Sequence, residues 1–183
     1  MVAGMMKALI ISDNHGDQRI LERVTQQWQE QVDLMIHCGD TEMAPTLPVM
    51  QRFKVAVLGN NDWGLDYPLE QTVVTAGQRI YATHGHRYQV NTTLTPLMLK
   101  GQEQGADLVC YGHTHQLAVT VESGMLIINP GSISLPRGQY ARLGGTFAVV
   151  ATTPDSFVVD YYDRKSQPVD GLHFVFNRKG GRA

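Results

Sequence analysis

The sequence predicts an α/β protein, a layered sandwich around a mixed sheet core. Two observations carry this. In the first part of the chain short continuous apolar runs alternate with helical patterns, and in the later part the apolar residues switch to strict alternation broken by short turns. A run buried on both faces reads as a strand covered by helices, whereas alternation reads as a strand with one wet face.

Taken in order, residues 8–11 (Ala-Leu-Ile-Ile) form the first predicted strand. Asp17 can cap the next segment, where Ile20, Leu21, Val24 and Trp28 make one helical stripe. Residues 32–36 and 55–58 read as a second and a third strand. Thr95-Pro96 predicts a helix start, a cap residue followed by proline in the first turn. Gly101 weakens that helix and Gly105 terminates it. Residues 108–111 predict another buried strand. Leu117, Val119 and Val121 alternate up to a Ser123-Gly124 turn, which residues 125–128 follow. Phe157, Val159 and Tyr161, then Leu172, Phe174 and Phe176, complete the half-buried strands. Trp28 and the Tyr161-Tyr162 pair read as packing material.

Composition narrows the class. With 183 residues, the chain falls in the usual single-domain range of ~100–200, and no linker or repeat divides it, so residues 1–183 are taken as one domain. Residues 1–5 are expected to be a tag or start-site extension, and residues 178–183 a flexible tail. Hydrophobic residues at 43% and charged residues at 17% exclude a disordered chain. No apolar run approaches the ~18 residues of a membrane span. Lys+Arg 15 against Asp+Glu 17 leaves no basic surplus for phosphate neutralisation, so stable nucleic-acid binding is not expected. Cys38 and Cys110 have neither a Cys-x-x-Cys nor a zinc spacing and read as buried, reduced residues of a cytoplasmic protein.

The chemistry gathers where the apolar runs stop. Asp13-Asn14-His15 follows the first, His37-Cys38-Gly39-Asp40 the second and Gly59-Asn60-Asn61-Asp62 the third. Thr83-His84-Gly85-His86 and Gly112-His113-Thr114-His115 come later, and of the seven histidines only His173 lies away from these segments. Ligands of open α/β sheets gather at the carboxyl ends of strands, so the five loops are expected to converge on one edge. Any one of them alone reads as an ordinary turn; five together do not. Imidazole, carboxylate and amide oxygen without thiolate suit Mn, Fe, Co, Ni or Zn. Two cations ~3.5–4 Å apart need a carboxylate between them, and Asp40, in the middle of the ligand order, is the natural bridge. Such a pair lowers the pKa of a shared water and polarises a phosphoryl oxygen, so that a bridging hydroxide attacks phosphorus in line.

The order Asp-x-His, Gly-Asp, Gly-Asn-x-Asp, His-Gly-His, Gly-His-x-His resembles the calcineurin-like metallophosphoesterase superfamily, and within it the small single-domain YfcE-like prokaryotic phosphodiesterases. The likeness runs from about Lys7 to Tyr162, and Asn129-Pro130-Gly131-Ser132 adds to it. It implies a four-layer αββα sandwich of two mixed β-sheets flanked by helices, the metallo-dependent phosphatase fold. It implies one metal held by Asp13, His15 and His115, a second held by Asn60, His84 and His113, and Asp40 bridging both. It further implies hydrolysis of small phosphate diesters with two divalent ions per chain, Mn²⁺ first and Ni²⁺, Fe²⁺ or Zn²⁺ as alternatives. A phosphomonoesterase or nucleotide pyrophosphatase with the same centre, or a non-catalytic scaffold on the same fold, is the competing reading. A homo-oligomer is compatible with the resemblance.

One position departs from the pattern. Many members carry histidine after Gly-Asn, where this chain has Asn61. An amide can hydrogen-bond a phosphate oxygen but cannot act as a general acid near neutral pH. The expectation is a bias toward good leaving groups, with the proton coming from water or His86. His86 is thus a catalytic candidate, with a solvated loop histidine as its alternative. Asn61, Asn14 and Arg137 are the candidate phosphate contacts, a turn role and a surface arginine being the alternatives for the last two. His37 is expected to be buried and hydrogen-bonded, and Asp62 to orient its own loop through backbone hydrogen bonds. Residues 41–51, 63–71 and 88–95 are the expected substrate-selecting loops, with Trp63 and Tyr67 either covering a base or aryl group or packing as core or lid.

Overall fold

The computed structural model describes residues 5–178, and the apolar runs of its first part are strands buried on both faces. Strand β1 (Met6–Ile11) leads to helix α1 (Gln18–Trp28), then β2 (Leu34–His37) and β3 (Val55–Ala56). An antiparallel pair follows, β4 (Glu70–Thr75) and β5 (Gln78–Thr83), then α2 (Thr95–Glu103), β6 (Leu108–Cys110) and the β7–β8 hairpin (Leu117–Glu122, Met125–Pro130). The chain closes with β9 (Thr146–Thr152), β10 (Ser156–Asp163) and β11 (Pro168–Asn177). Short 3₁₀ turns cover Met50–Arg52, His86–Tyr88 and Gly138–Leu143.

Two mixed sheets result. The six-stranded sheet runs β11-β10-β9-β1-β2-β3, with β1, β2 and β3 parallel and the remaining pairings antiparallel. The five-stranded sheet runs β4-β5-β6-β8-β7, with β5, β6 and β8 parallel and antiparallel strands at both edges. Between the sheets lies the main core. Ala8 and Ile10 of β1 meet Ile80 and Ala82 of β5, Leu108 and Cys110 of β6 and Ile128 of β8 there, closed at one side by Phe157, Val159 and Tyr161. The opposite faces are covered separately, Leu9, Ile11 and Phe147 by Leu21, Val24 and Trp28 of α1, and Tyr81, Val109 and Ile127 by Leu97 of α2. This is the αββα order, with a thin helical layer on each outer face.

The helix ends are built from local chemistry. Asp17 caps α1 through Oδ1, which accepts from Ile20 N at 3.2 Å, and its Oδ2 accepts from Arg164 Nη2 at 2.7 Å. The four buried stripe residues then contribute roughly 1.5–3 kcal/mol each. The expected Thr95 cap differs from what forms. Leu94 occupies the cap position without a side-chain bond, and the amide of Thr95 is satisfied by Thr93 Oγ1 at 3.2 Å. Gly101 does not break α2. It faces β6 and β8, where a Cβ would stand 2.6 Å from Val109 Cγ2 and 2.8 Å from Met125 Sδ.

Three strands were not anticipated, β4, β5 and β9, and β4 takes the end of the loop expected over residues 63–71. The third strand is shorter than expected, although Val57 N still donates to His37 O at 3.1 Å. Most of the expected extension and tail, residues 1–4 and 179–183, lies outside the described residues. Arg178 is no part of a tail. Its guanidinium donates to Gln78 Oε1 and Asp107 Oδ1 and lies 4.6 Å over the Phe157 ring. No helix among the described residues is long and apolar enough to cross a membrane.

Candidate metal centre

Parallel strands end on the same side of a sheet, so the loops after β1, β2, β3, β5 and β6 meet at one edge of the sandwich. Their backbones are bent to do so. Asp13, His15, Asp40, His113 and His115 all adopt positive φ, between 46° and 69°, a conformation that costs an L-residue roughly 1–2 kcal/mol. Side chains held this way against their own preference mark a site the surrounding fold over-determines. Close approach also needs glycine: a Cβ on Gly59 would stand 2.1 Å from Asp40 Oδ1 and 2.2 Å from Asp40 N, and one on Gly112 would stand 2.0 Å from Ser12 Oγ.

Asp13, His15, Asp40 and His115 each bring one ligand atom to within 4.8 Å of the others. His15 Nδ1 is paired with Glu42 Oε1 at 2.7 Å, and His115 Nδ1 with the Leu135 carbonyl at 2.7 Å. Both acceptors fix the proton on Nδ1 and leave the Nε2 lone pairs free, yet those nitrogens face each other at 3.2 Å. Asp13 Oδ1 lies 3.3 Å from His115 Nε2 and is buried with no hydrogen-bond partner. Lone pairs converging on an orphaned carboxylate oxygen repel one another unless a cation stands between them. The donor set therefore fits a divalent ion, with outer acceptors orienting each imidazole.

The remaining expected ligands form a second group beside the first. His84 Nδ1 donates to Cys38 O at 2.7 Å, so its Nε2 lone pair faces Asn60 Oδ1 at 3.1 Å and Asp40 Oδ2 at 3.5 Å. His113 approaches from the other side, Nδ1 to Asn60 Oδ1 at 2.8 Å. Asp40 belongs to the first cluster and touches the second, so all seven expected ligands are brought together. Electrostatics follow the geometry. Burial works against the Asp40 charge, but His84 and two Asn61 donors hold the carboxyl well below its usual range. Burial likewise opposes the charge on His84 and His115, and Asp40 and Asp13 respectively raise them nonetheless. Burial and the neighbouring His84 push His113 down.

The other expected residues take varied places. Asn61 turns onto Asp40, its backbone N donating to Oδ1 at 2.8 Å and its amide to Oδ2 at 2.6 Å. His86 joins the imidazole cluster, with ring centroids 5.4 Å from His84 and 6.1 Å from His113, and burial lowers its pKa. Its turn is held by Tyr88, whose hydroxyl donates to Glu70 and meets Tyr81 Oη at 3.0 Å. Arg137 is exposed, and its charge acts on His115. Asn14 sits in a turn, its backbone O accepting from Asp17 N at 3.0 Å. It is wholly buried, its Oδ1 accepting from His37 Nε2 at 2.9 Å and its Nδ2 directed at Met43 Sδ. Trp63 is 87% exposed, which removes core packing as its role, whereas Tyr67 packs inward with its hydroxyl on Met43 O.

Three supports stand behind the candidate ligands, and the bracing roles of all three lie in the fold rather than in the residue string. Glu42 reaches His15 because the chain turns left-handed at φ 54°, which a residue string does not disclose. Ser132 and Asn129 brace the ligand loops, Ser132 Oγ donating to Asp13 O at 2.7 Å and Asn129 Nδ2 to Gly112 O at 2.8 Å. Asp62 does orient backbone, as expected, and on two loops rather than one. Its carboxylate accepts from Asp40 N, Glu42 N and Gly59 N at 2.6–2.9 Å.

Residues 6–155 match the family model described as the calcineurin-like phosphoesterase superfamily domain. The probable metallophosphoesterase YsnB of Bacillus subtilis (strain 168) is 36% identical over 167 residues, spanning 91% of this chain and 96% of its own. The phosphodiesterase YfcE of Escherichia coli (strain K12) is 32% identical over 185 residues, spanning 85% and 96%. A solved structure of a predicted phosphoesterase from Streptococcus pneumoniae TIGR4 superposes with a TM-score of 0.89 at 33% identity, covering 94% of this chain and 98% of that one. Vacuolar protein sorting 29 from Cryptosporidium parvum, at 18% identity and a TM-score of 0.71, shares the fold.

Proposed function

We propose that this protein, which belongs to the calcineurin-like phosphoesterase superfamily, is a phosphodiesterase that takes two divalent cations per chain and hydrolyses small phosphate diesters. That it is a metal-dependent phosphoester hydrolase is the common ground of its family and its donor cluster. The dinuclear reading rests on one observation: two groups of imidazole, carboxylate and amide-oxygen donors lie side by side and share Asp40. Asp13, His15 and His115 would hold one ion, Asn60, His84 and His113 the other, and Asp40 both. When bound, the ions supply Lewis acidity toward a phosphoryl oxygen and lower the pKa of a water.

The chain's own residues supply the rest. One hydrogen of the Asn61 amide is engaged by Asp40 Oδ2, and the other is free to meet a phosphate oxygen from this exposed position. Arg137 offsets phosphate charge at the rim. With no general acid at Asn61, the leaving oxygen takes its proton from water or from His86, beside the second group. Asn14, closed in by His37 and Met43, orients the loop between Asp13 and His15. We take Mn²⁺ as the native ion, with Ni²⁺, Fe²⁺ or Zn²⁺ as substitutes, and a reducing cytoplasm as the setting, in keeping with the unpaired, buried Cys38 and Cys110.

The test is chelator-stripped protein assayed on bis(p-nitrophenyl) phosphate and p-nitrophenyl phosphate, with Mn²⁺, Ni²⁺, Zn²⁺ or Mg²⁺ restored in turn. Diester turnover should return with metal and fall at least about 10³-fold in Asp40→Ala, since the shared ligand supports the whole charge-stabilising centre. Monoester turnover alone would favour the phosphatase reading. Folded protein inactive with every metal would support the scaffold.

A further inference from the structure

Asp62 is 3% exposed, carries a carboxylate and contributes no ligand. Both oxygens are spent on backbone. Oδ2 accepts from Asp40 N at 2.9 Å and from Gly59 N at 2.7 Å, and Oδ1 accepts from Glu42 N at 2.6 Å. Hydrogen bonds to an ionised acceptor are roughly twice as strong as neutral ones, and burying a carboxylate is worthwhile only when its oxygens are fully engaged.

Asp40 is the residue both donor groups share. Glu42 carries the carboxylate on His15 Nδ1, which fixes that ring's tautomer within the Asp13–His15–His115 group. Gly59 precedes Asn60, whose Oδ1 stands between His84 and His113 in the other group. The loop after β2 would not hold this shape unaided, because Asp40 and Glu42 are both left-handed, at φ 52° and 54°. The same loop is stitched to the one after β1, His15 N donating to Asp40 O at 3.1 Å and Gly16 N to Thr41 O at 2.9 Å. A single buried charge therefore lies beneath both groups and holds one point of each.

We infer that Asp62 is a positioning residue that couples the two halves of the metal centre, so that its loss weakens both cations together. The inference rests on the dinuclear reading above. Glu42 supplies the contrast. It serves His15 alone from a side chain 41% exposed, so removing it should weaken one cation and spare the other.

Calorimetric titration of chelator-stripped protein with Mn²⁺ separates the cases, after circular dichroism and urea unfolding have verified that each stripped variant is folded. Wild type should bind two ions per chain. Asp62→Asn, which turns one acceptor into an opposing donor, should lose roughly 10–100-fold in affinity for both ions, the usual effect of removing an outer support. Glu42→Ala should lose a comparable factor for one ion only. Asp62→Ser keeps one acceptor without an opposing N–H, and it takes the place of Asp62→Asn, with the same outcomes, if that variant does not fold. A folded Asp62 variant that binds both ions as tightly as wild type, or loses only one, overturns the inference while leaving the dinuclear reading intact. Wild type binding fewer than two ions overturns both.

Discussion

His37 has no solvent exposure, and each of its ring nitrogens has one assigned partner. Gly39 N donates to Nδ1 at 3.2 Å, so the proton is on Nε2, which donates to Asn14 Oδ1 at 2.9 Å. Burial pushes its pKa down to about 4, against the pull of the Asp13 carboxylate. Between the ordinary histidine value of 6.5 and 4, the unfolded chain binds a proton that the folded chain refuses. Stability therefore rises with pH across that window and is lost as pH falls through it, by roughly 3 kcal/mol in all. Urea unfolding of stripped His37→Gln should show a shallower loss from pH 6.5 to 4 than wild type; parallel curves would refute the assignment. Asn61 carries a kinetic counterpart. Bonded to Asp40 through backbone and side chain, it can deliver no proton. Asn61→His should raise kcat/KM on alkyl-leaving-group diesters by up to ~10²-fold or more and change aryl diesters little. An unchanged slope of log kcat/KM against leaving-group pKa would count against a missing general acid.

At the scale of elements, α2 shows propensity and packing in opposition. Helix propensity alone makes alanine at position 101 better than glycine by ~1 kcal/mol. The added Cβ, 2.6 Å from a stiff valine methyl on β6, forces α2 off its sheet, at a typical cost of 1–3 kcal/mol. Gly101→Ala should therefore come out destabilised by about 1 kcal/mol in its urea midpoint at constant m; a gain would mean that Met125 and Val109 yield easily. The same opposition explains what could be read from residues. β1, β2 and β6 are short apolar runs because both faces are covered, and the β7–β8 hairpin carries its turn, Ser123 and Gly124, at positive φ. β4 is half-exposed and mostly polar or β-branched, so it has no period to find, and the apolar run within β9 has no alternation to distinguish strand from helix.

For the molecule as a whole, the convergence of the seven candidate donors was legible because each follows a strand, and parallel strands bring their ends together whatever lies between them. Their supports were not, since Glu42, Leu135 and Cys38 reach the imidazoles through backbone turns or carbonyls that side-chain identity does not encode. Asn14 shows the same limit: its place between two candidate ligands in the chain says nothing of the His37 ring that claims its oxygen. The assembled edge draws Asp13, His15, Asp40 and Asn60 from the six-stranded sheet, and His84, His113 and His115 from the five-stranded one. A cation held there would bind the native chain and find no equivalent site in an unfolded one, so it would add about 2.7 kcal/mol at a hundredfold excess over Kd. For a cell, this ties the lifetime of the polypeptide to its mineral supply. Were divalent ions to run short, proteolysis of the less stable apo form would thin the number of molecules, and the cell would lose enzyme as well as turnover.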